Sequence, residues 1–276
     1  MKNLLFLTDF SECSVGAIKF ALNLYKDSEC KCFILNVKES DSYVSDDLYK
    51  AGNKTIYDSL FEENKAQLNE LITNLKQEFD DDVCGFTPLL DYDELTAAVN
   101  QIFKSKEIDL IVMGSNGVSG VKEALFGSNA INVIREVKED TLIVPREYRF
   151  KGPQSLLLVL DSFDPVSGKG MNRLKSFVQE FSLSLDVVRT NPENPTDTEK
   201  RDLEQLQEIF GSSGFEYKQV CDVPLHYVVD SLVQISSYDF LALLVQDESF
   251  LERLLLHSET KDIAKNIKVP LLVYHY

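Results

Sequence analysis

The sequence predicts two doubly wound α/β domains, each on a five-stranded parallel sheet of order 3-2-1-4-5, packed together as a pseudo-dimer. Three observations predict it. Short apolar runs alternate with longer stretches of helical periodicity, the pattern of strands buried on both faces and joined by crossover helices. The alternation completes one unit by residue 147 and resumes at 152, after a linker that ends in Gly152-Pro153. Aligning Gly127-Ser128 with His257-Ser258 gives an offset of 130, over which NVIREVKEDTLIVP matches DIAKNIKVPLLVY.

The elements follow in order. LLFLTD (4–9) reads as a buried strand, and 11–25 as a helix with Val15, Ile18, Leu22 and Tyr25 on one stripe and Ser11 as its cap. CKCFILNV (30–37) is the second strand. A polar stretch (38–54) leads into a helix over 55–79 that carries Ile56, Leu60, Leu68, Leu71, Ile72 and Leu75. The third strand, 83–90, contains Pro88, which places it at a sheet edge or makes that residue a strand end. A helix (92–105), a buried strand IDLIVMG (108–114), a glycine-rich loop (114–127), a helix (128–138) and the strand TLIVP (141–145) complete the unit.

The second unit repeats the order. Strands are expected at 155–163, 182–190, 215–221, 238–245 and 269–276, with helices at 198–210, 225–236 and 258–267. The expected domains are therefore 1–147 and 152–276.

Charge limits the partners. The net charge of −17 is shared by both halves, so phosphate backbones and anionic lipid surfaces are repelled at long range. Neither nucleic acid nor membrane is an expected partner. No apolar run approaches the roughly 20 residues of a membrane span, and MKNLLFLTDFSE lacks a long apolar core. A cytoplasmic protein is expected. Of the five cysteines, Cys30 and Cys32 share one strand face without zinc-knuckle spacing, and the three histidines all lie in the other half. No metal site is expected.

The chemistry is concentrated in MGSNGVSGVKEALFGSNAINVI (113–134). Glycines at 114, 117 and 127 permit positive φ and let a ligand touch the backbone. Successive N–H groups can then form an anion nest, and residues 127–129 open a helix whose free amides favour phosphate. In a sheet of order 3-2-1-4-5 the ligand edge lies where the winding reverses, between strands one and four. Asp9 follows strand one and Gly114 ends strand four, so both fall at that point. The loop has no G-K-[ST] and is not a Walker loop, and no G-x-G-x-x-G follows strand one. Read blandly, it is a surface loop ending in a helix cap at Ser128, and Asp9 is a turn residue before the first helix.

G-x2-G-x9-G-S preceded by Met113, the opening LTDFSE and the closing TLIVP resemble the universal stress protein family in a tandem arrangement. The resemblance spans the chain, strongly over 1–147 and weakly beyond. It implies an adenine nucleotide alpha-hydrolase-like fold, a pseudo-dimer in which TLIVP and PLLVYHY meet at the seam as the last strands do between single-domain relatives, and ATP as ligand, with Mg²⁺ as an accompanying ion. By the same resemblance Leu7 and Asp9 flank the adenosine and Val37 meets the adenine. Met113, Gly114, Asn116 and Gly117 line the ribose and phosphates, and Gly127, Ser128 and Asn129 hold the triphosphate. Asn116 stands where the family often has a basic residue.

In the second half Leu244, Asp247 and His257 replace the three glycines. Leucine is expected to bar a ligand and Asp247 to repel it, leaving Asp161 and Ser258 without a nest. The expected function is an ATP-binding regulatory or stress-resistance protein that acts through its N-terminal domain and an unidentified protein partner. Two alternatives stand beside it: a slow ATPase or phosphotransfer enzyme, and a ligand-free scaffold. Phosphoryl transfer needs Mg²⁺ ligands, a positioned nucleophile and positive charge at the γ-phosphate. Lys122 in the loop could reach that phosphate but reads better as a solvated helix-face lysine, and the loop holds no arginine, so no catalytic residue is assigned and only weak hydrolysis is expected. A homodimer of tandem chains is compatible with the sequence.

Overall fold

The computed structural model describes residues 1–38, 54–79, 84–116, 126–211, 213–245 and 268–276. The first half runs β1 (Lys2–Leu7), α1 (Glu12–Leu24), β2 (Cys30–Val37), α2 (Lys54–Glu78), β3 (Cys84–Asp91), α3 (Leu95–Lys106), β4 (Leu110–Gly114), α4 (Ser128–Glu136) and β5 (Thr141–Val144). The second runs β6 (Ser155–Leu160), α5 (Lys169–Glu180), β7 (Ser184–Thr190), α6 (Pro195–Phe210), β8 (Glu216–Val220), α7 (Leu225–Ile235), β9 (Phe240–Val245) and β10 (Leu271–His275). The helix expected over 258–267 lies outside the described residues.

All the strands join one ten-stranded sheet of order β3-β2-β1-β4-β5-β10-β9-β6-β7-β8. Each half therefore has the order 3-2-1-4-5, and β3, carrying Pro88, lies at an outer edge where a missing N–H costs no ladder bond. Pairing is parallel within each half and antiparallel only between β5 and β10. There Leu142 faces Leu272, with Thr141 opposite Val273 and Ile143 opposite Leu271. Under the repeat offset, Leu272 is the counterpart of Leu142. The seam is thus self-complementary about that pair, as at a two-fold dimer interface.

Apolar strand residues alternate between two cores, one on each face. Leu4, Phe6, Leu156 and Leu158 belong to one, and Leu5, Leu7, Leu157 and Val159 to the other. Both cores run through both halves. Helix α1 lies across the seam: the Phe20 ring centroid is 5.5 Å from those of Tyr148 and Phe150 and 6.1 Å from that of Phe240. Tyr25 meets Phe181 at 5.3 Å, and Lys2 pairs with Glu180 at 2.6 Å. Arg173 of α5 donates to Asp140 (2.6 Å) and to the His275 carbonyl (2.8 Å). Large aromatic contacts of this kind tie the halves more strongly than the exposed ion pair does.

Helix α5 is not among the expected elements, and of the several boundaries that differ from expectation two have clear local reasons. Helix α6 starts at Pro195, not 198, because Asn194 caps it by accepting from the Asp197 N–H and proline suits the first helical position. Helix α4 is capped by Gly127, so Ser128 is its first helical residue and not its cap.

One buried acid predicts a pH effect. Asp230 on α7 is 6% exposed, and its Oδ2 has no hydrogen-bond partner among the described residues. Burial pushes its carboxyl from 3.8 up to about 6. The folded chain thus holds this proton more tightly than the unfolded one. The stability it confers is complete below 3.8 and is lost as pH rises through 6. Asp230→Asn should raise the melting temperature by about 2–4 °C at pH 7.5 and leave it unchanged near pH 3.5, as read by differential scanning calorimetry.

Candidate functional site

The C-terminal ends of β1, β2 and β4 form one edge of the first half, and their residue types set its shape. Leu7 is buried as the last residue of β1. Beyond it the chain turns sharply: Phe10 has φ 63°, an uncommon conformation for a bulky residue. Local bonds hold this turn. The Phe10 N–H donates to Thr8 Oγ1 (3.0 Å), and the Ser11 N–H donates to Asp9 Oδ1 (3.1 Å). Ser11 caps α1 by accepting from the Ser14 N–H. Asp9 is accordingly a turn residue, half-buried beyond the C-terminal end of β1. From β2, buried Asn36 donates to the Thr8 carbonyl (2.8 Å), tying the turn to the strand that Val37 ends.

Met113 is buried, and Gly114 ends β4. The Ser115 N–H donates to the Val144 carbonyl (3.0 Å), and the Gly127 N–H donates to the Ser115 carbonyl (2.7 Å). A Cβ on Gly127 would lie 3.6 Å from the Asn116 Cα, so the two ends of the loop meet. The structure therefore gathers Gly114, Asn116, Gly127, Ser128 and Asn129, with Leu7, Asp9 and Val37 on the same strand edge. Gly117 and Lys122 lie outside the described residues.

The two described loop glycines have different reasons to be small, and neither has positive φ. A Cβ on Gly114 would come within 2.7 Å of Cys13 Sγ and 2.9 Å of the Cys13 carbonyl carbon. The close approach of α1 therefore dictates this glycine, whatever ligand binds. A Cβ on Gly127 would meet only ordinary contacts at 3.6–3.7 Å. At Gly127 neither backbone conformation nor packing within the chain excludes a side chain.

Helix α4 opens at this point without a side-chain cap, and Ser128 and Asn129 are exposed. The first N–H groups of a helix have no partner within it. With the helix dipole behind them they attract an anion.

The second half departs from this arrangement in an unforeseen way. Leu244, expected to obstruct a ligand, is fully buried in the core on the α5 side. Opposite it stands Gly170, the second residue of α5 as Cys13 is of α1; a Cβ there would lie 2.9 Å from the His275 carbonyl oxygen and 3.4 Å from Leu244 Cδ2. The small and large partners have exchanged places between the halves. Asp247, His257 and Ser258 lie outside the described residues.

Arg189, near the end of β7, was also unforeseen. It is fully buried, paired with fully buried Asp202 (2.7 Å), and donates through Nη1 to the carbonyls of Asp161 and Asp164. Asp202 accepts a second bond from the Tyr217 hydroxyl (2.8 Å). The longer turn after β6 (161–168, against 8–11 in the first half) is thus pinned by a buried cation. A lone arginine in the apolar run DVVRT was the available signal.

Among the described residues no group of three His, Cys, Asp or Glu side chains could hold a metal ion, and no helix is long and apolar enough to cross a membrane.

An open, doubly wound α/β sheet with an uncapped helix at its winding reversal is the class of fold that the chain presents. Within that class, the universal stress protein family model matches residues 1–145, and the chain belongs to this family. Two universal stress proteins of Methanocaldococcus jannaschii are each 26% identical to it, over 145 and 155 residues. These matches cover 52% and 53% of this chain and 82% and 96% of the relatives. A universal stress protein from Archaeoglobus fulgidus superposes with TM-score 0.68 at 19% identity, covering 99% of this chain and 96% of its own. The cytoplasmic domain of a prokaryotic cation chloride cotransporter shares the fold over 99% of this chain and 94% of its own (TM-score 0.55, 10% identity).

Proposed function

We propose that the chain is a cytoplasmic, nucleotide-linked regulatory protein that binds ATP in the first-half cleft. The proposed domains are 1–147, which binds, and 152–276, which serves as a built-in dimer partner. The observation that carries this reading is Gly127: it precedes an exposed helix start without a side-chain cap, and among the described residues nothing requires it to be glycine.

The donor set fits a polyphosphate. The amides of Ser128 and Asn129, with the Ser128 hydroxyl, would receive the phosphates, and Asn116 lies beside them. Leu7, Met113 and Val37 give an apolar rim for the base, and Asp9 is an acceptor for its amine or the ribose hydroxyls. Mg²⁺ would arrive with the nucleotide, for which Asp9 is a candidate carboxylate, and would offset phosphate charge. Binding that selects one conformation for a protein partner to read is the proposed role, with slow turnover at most.

Calorimetric and thermal-melt titrations with Mg²⁺-ATP test the reading. At a hundredfold excess over Kd the ligand should stabilise the wild type by about 2.7 kcal/mol. Gly127→Asp should abolish the response because a carboxylate would occupy the anion site. The same carboxylate can cap α4, so the unliganded variant should melt no lower than the wild type. Equal ATP responses in wild type and variant would refute the assignment.

A further inference from the structure

We propose that Arg146, held in reserve at the rim by Glu12, sets the preference of this site for polyphosphates over monophosphates. The inference rests on the nucleotide reading above and adds a cation at the rim of the cleft.

Arg146 follows β5 by two residues, on the edge where the loop begins and ends. The β5 terminus is bound into that loop: the Val144 carbonyl accepts the Ser115 N–H (3.0 Å), and the Ser115 carbonyl accepts the Gly127 N–H (2.7 Å). Glu12 opens α1, whose next residue, Cys13, touches Gly114 and lies 3.8 Å through Sγ from the Val144 carbonyl oxygen. Glu12 is thus next in sequence to the residue that touches Gly114, and Arg146 lies two residues beyond the strand end that binds Ser115. Their ion pair (Nη2–Oε2, 2.6 Å) spans the rim.

The pair is poised for exchange. Its side chains are 63% and 83% exposed, and ion pairs that open to water contribute little to stability. A guanidinium binds phosphate through parallel charge-assisted bonds, which are stronger. A triphosphate running outward from the α4 amides therefore outcompetes Glu12 for Arg146, whereas a monophosphate ends at those amides and leaves the pair intact. Glu12 makes the cation conditional: without phosphate Arg146 is neutralised, and with it the carboxylate is released to solvent.

The test is calorimetric titration of the full chain with ATP, ADP and AMP, comparing wild type, Arg146→Ala and Glu12→Gln. The expected result is a roughly tenfold loss of ATP affinity in Arg146→Ala, with AMP affinity unchanged and a shallower dependence of ATP affinity on salt. Glu12→Gln should tighten ATP severalfold by removing the competitor, and this gain should vanish in the double variant. Both positions are exposed, so melting temperatures should match the wild type. Wild-type protein that binds ATP with an ATP-to-AMP affinity ratio unmoved by Arg146→Ala overturns the role of Arg146 alone. Wild-type protein that binds none of the three nucleotides overturns the nucleotide reading and this inference with it.

Discussion

Asp202→Ala is expected to destabilise the chain by about 3–5 kcal/mol, a fall in melting temperature on the order of 10 °C. The reason is the charge it leaves behind. Arg189 and Asp202 are both fully buried and 2.7 Å apart, and the Tyr217 hydroxyl also depends on that carboxylate. Removing one partner strands a guanidinium in a low-dielectric interior, where it cannot be deprotonated at neutral pH. Replacing both together, as Arg189→Met with Asp202→Leu, should recover part of the loss, because two desolvation costs disappear with the pair. The recovery should be incomplete, since the carbonyls of Asp161 and Asp164 lose their donor. Urea denaturation of the three variants checks this. A loss below about 1 kcal/mol for Asp202→Ala, the range of exposed pairs, would mean that the network is open to water.

The second large effect separates the two glycines. Gly114→Ala places a Cβ inside van der Waals distance of the Cys13 backbone, which belongs to a helix and cannot move alone. Overpacking of this kind costs about 1–3 kcal/mol, and more where backbone must shift. Gly114→Leu should be worse and should prevent folding. Adding Cys13→Gly copies the Gly170–Leu244 arrangement of the second half and should restore part of the stability. Gly127→Ala should fold like the wild type. Melting curves showing the opposite order, with Gly127→Ala the more destabilised, would show that the loop and not α1 sets the packing at this edge.

These two predictions mark where sequence reading succeeds and where it stops. The strands were legible because burial on both faces demands continuous apolar runs such as LLLVL and FLALLV, and little else produces them. Pro88 announced an edge because a residue without an N–H cannot serve an interior strand. The seam was legible from the family resemblance together with the repeat, which marks TLIVP and PLLVY as the closing strands of equivalent units. The boundary of α6 was missed because the polar run hid its cap: Asn194-Pro195 is a start signal, read as loop.

The site was legible in outline only. Spacing placed Gly114 and Gly127 in one loop, but glycine looks the same in sequence whether a helix or a ligand demands it. The clash that explains Gly114 comes from Cys13, about a hundred residues away, through a packing contact that no local pattern encodes. Leu244 misled for the same reason: its partner, Gly170, lies on the helix after β6. Arg146 and Glu12, on the rim, are 134 residues apart and meet only once the sheet has formed.

A crystal structure of the full chain grown with Mg²⁺-ATP addresses the nucleotide assignment most directly. The predicted result is a triphosphate against the amides of Ser128 and Asn129, with the base beside Val37 and Arg146 turned away from Glu12. Crystals from saturating nucleotide with that cleft vacant, or with one of the chain's own side chains lodged across Gly127, would contradict it.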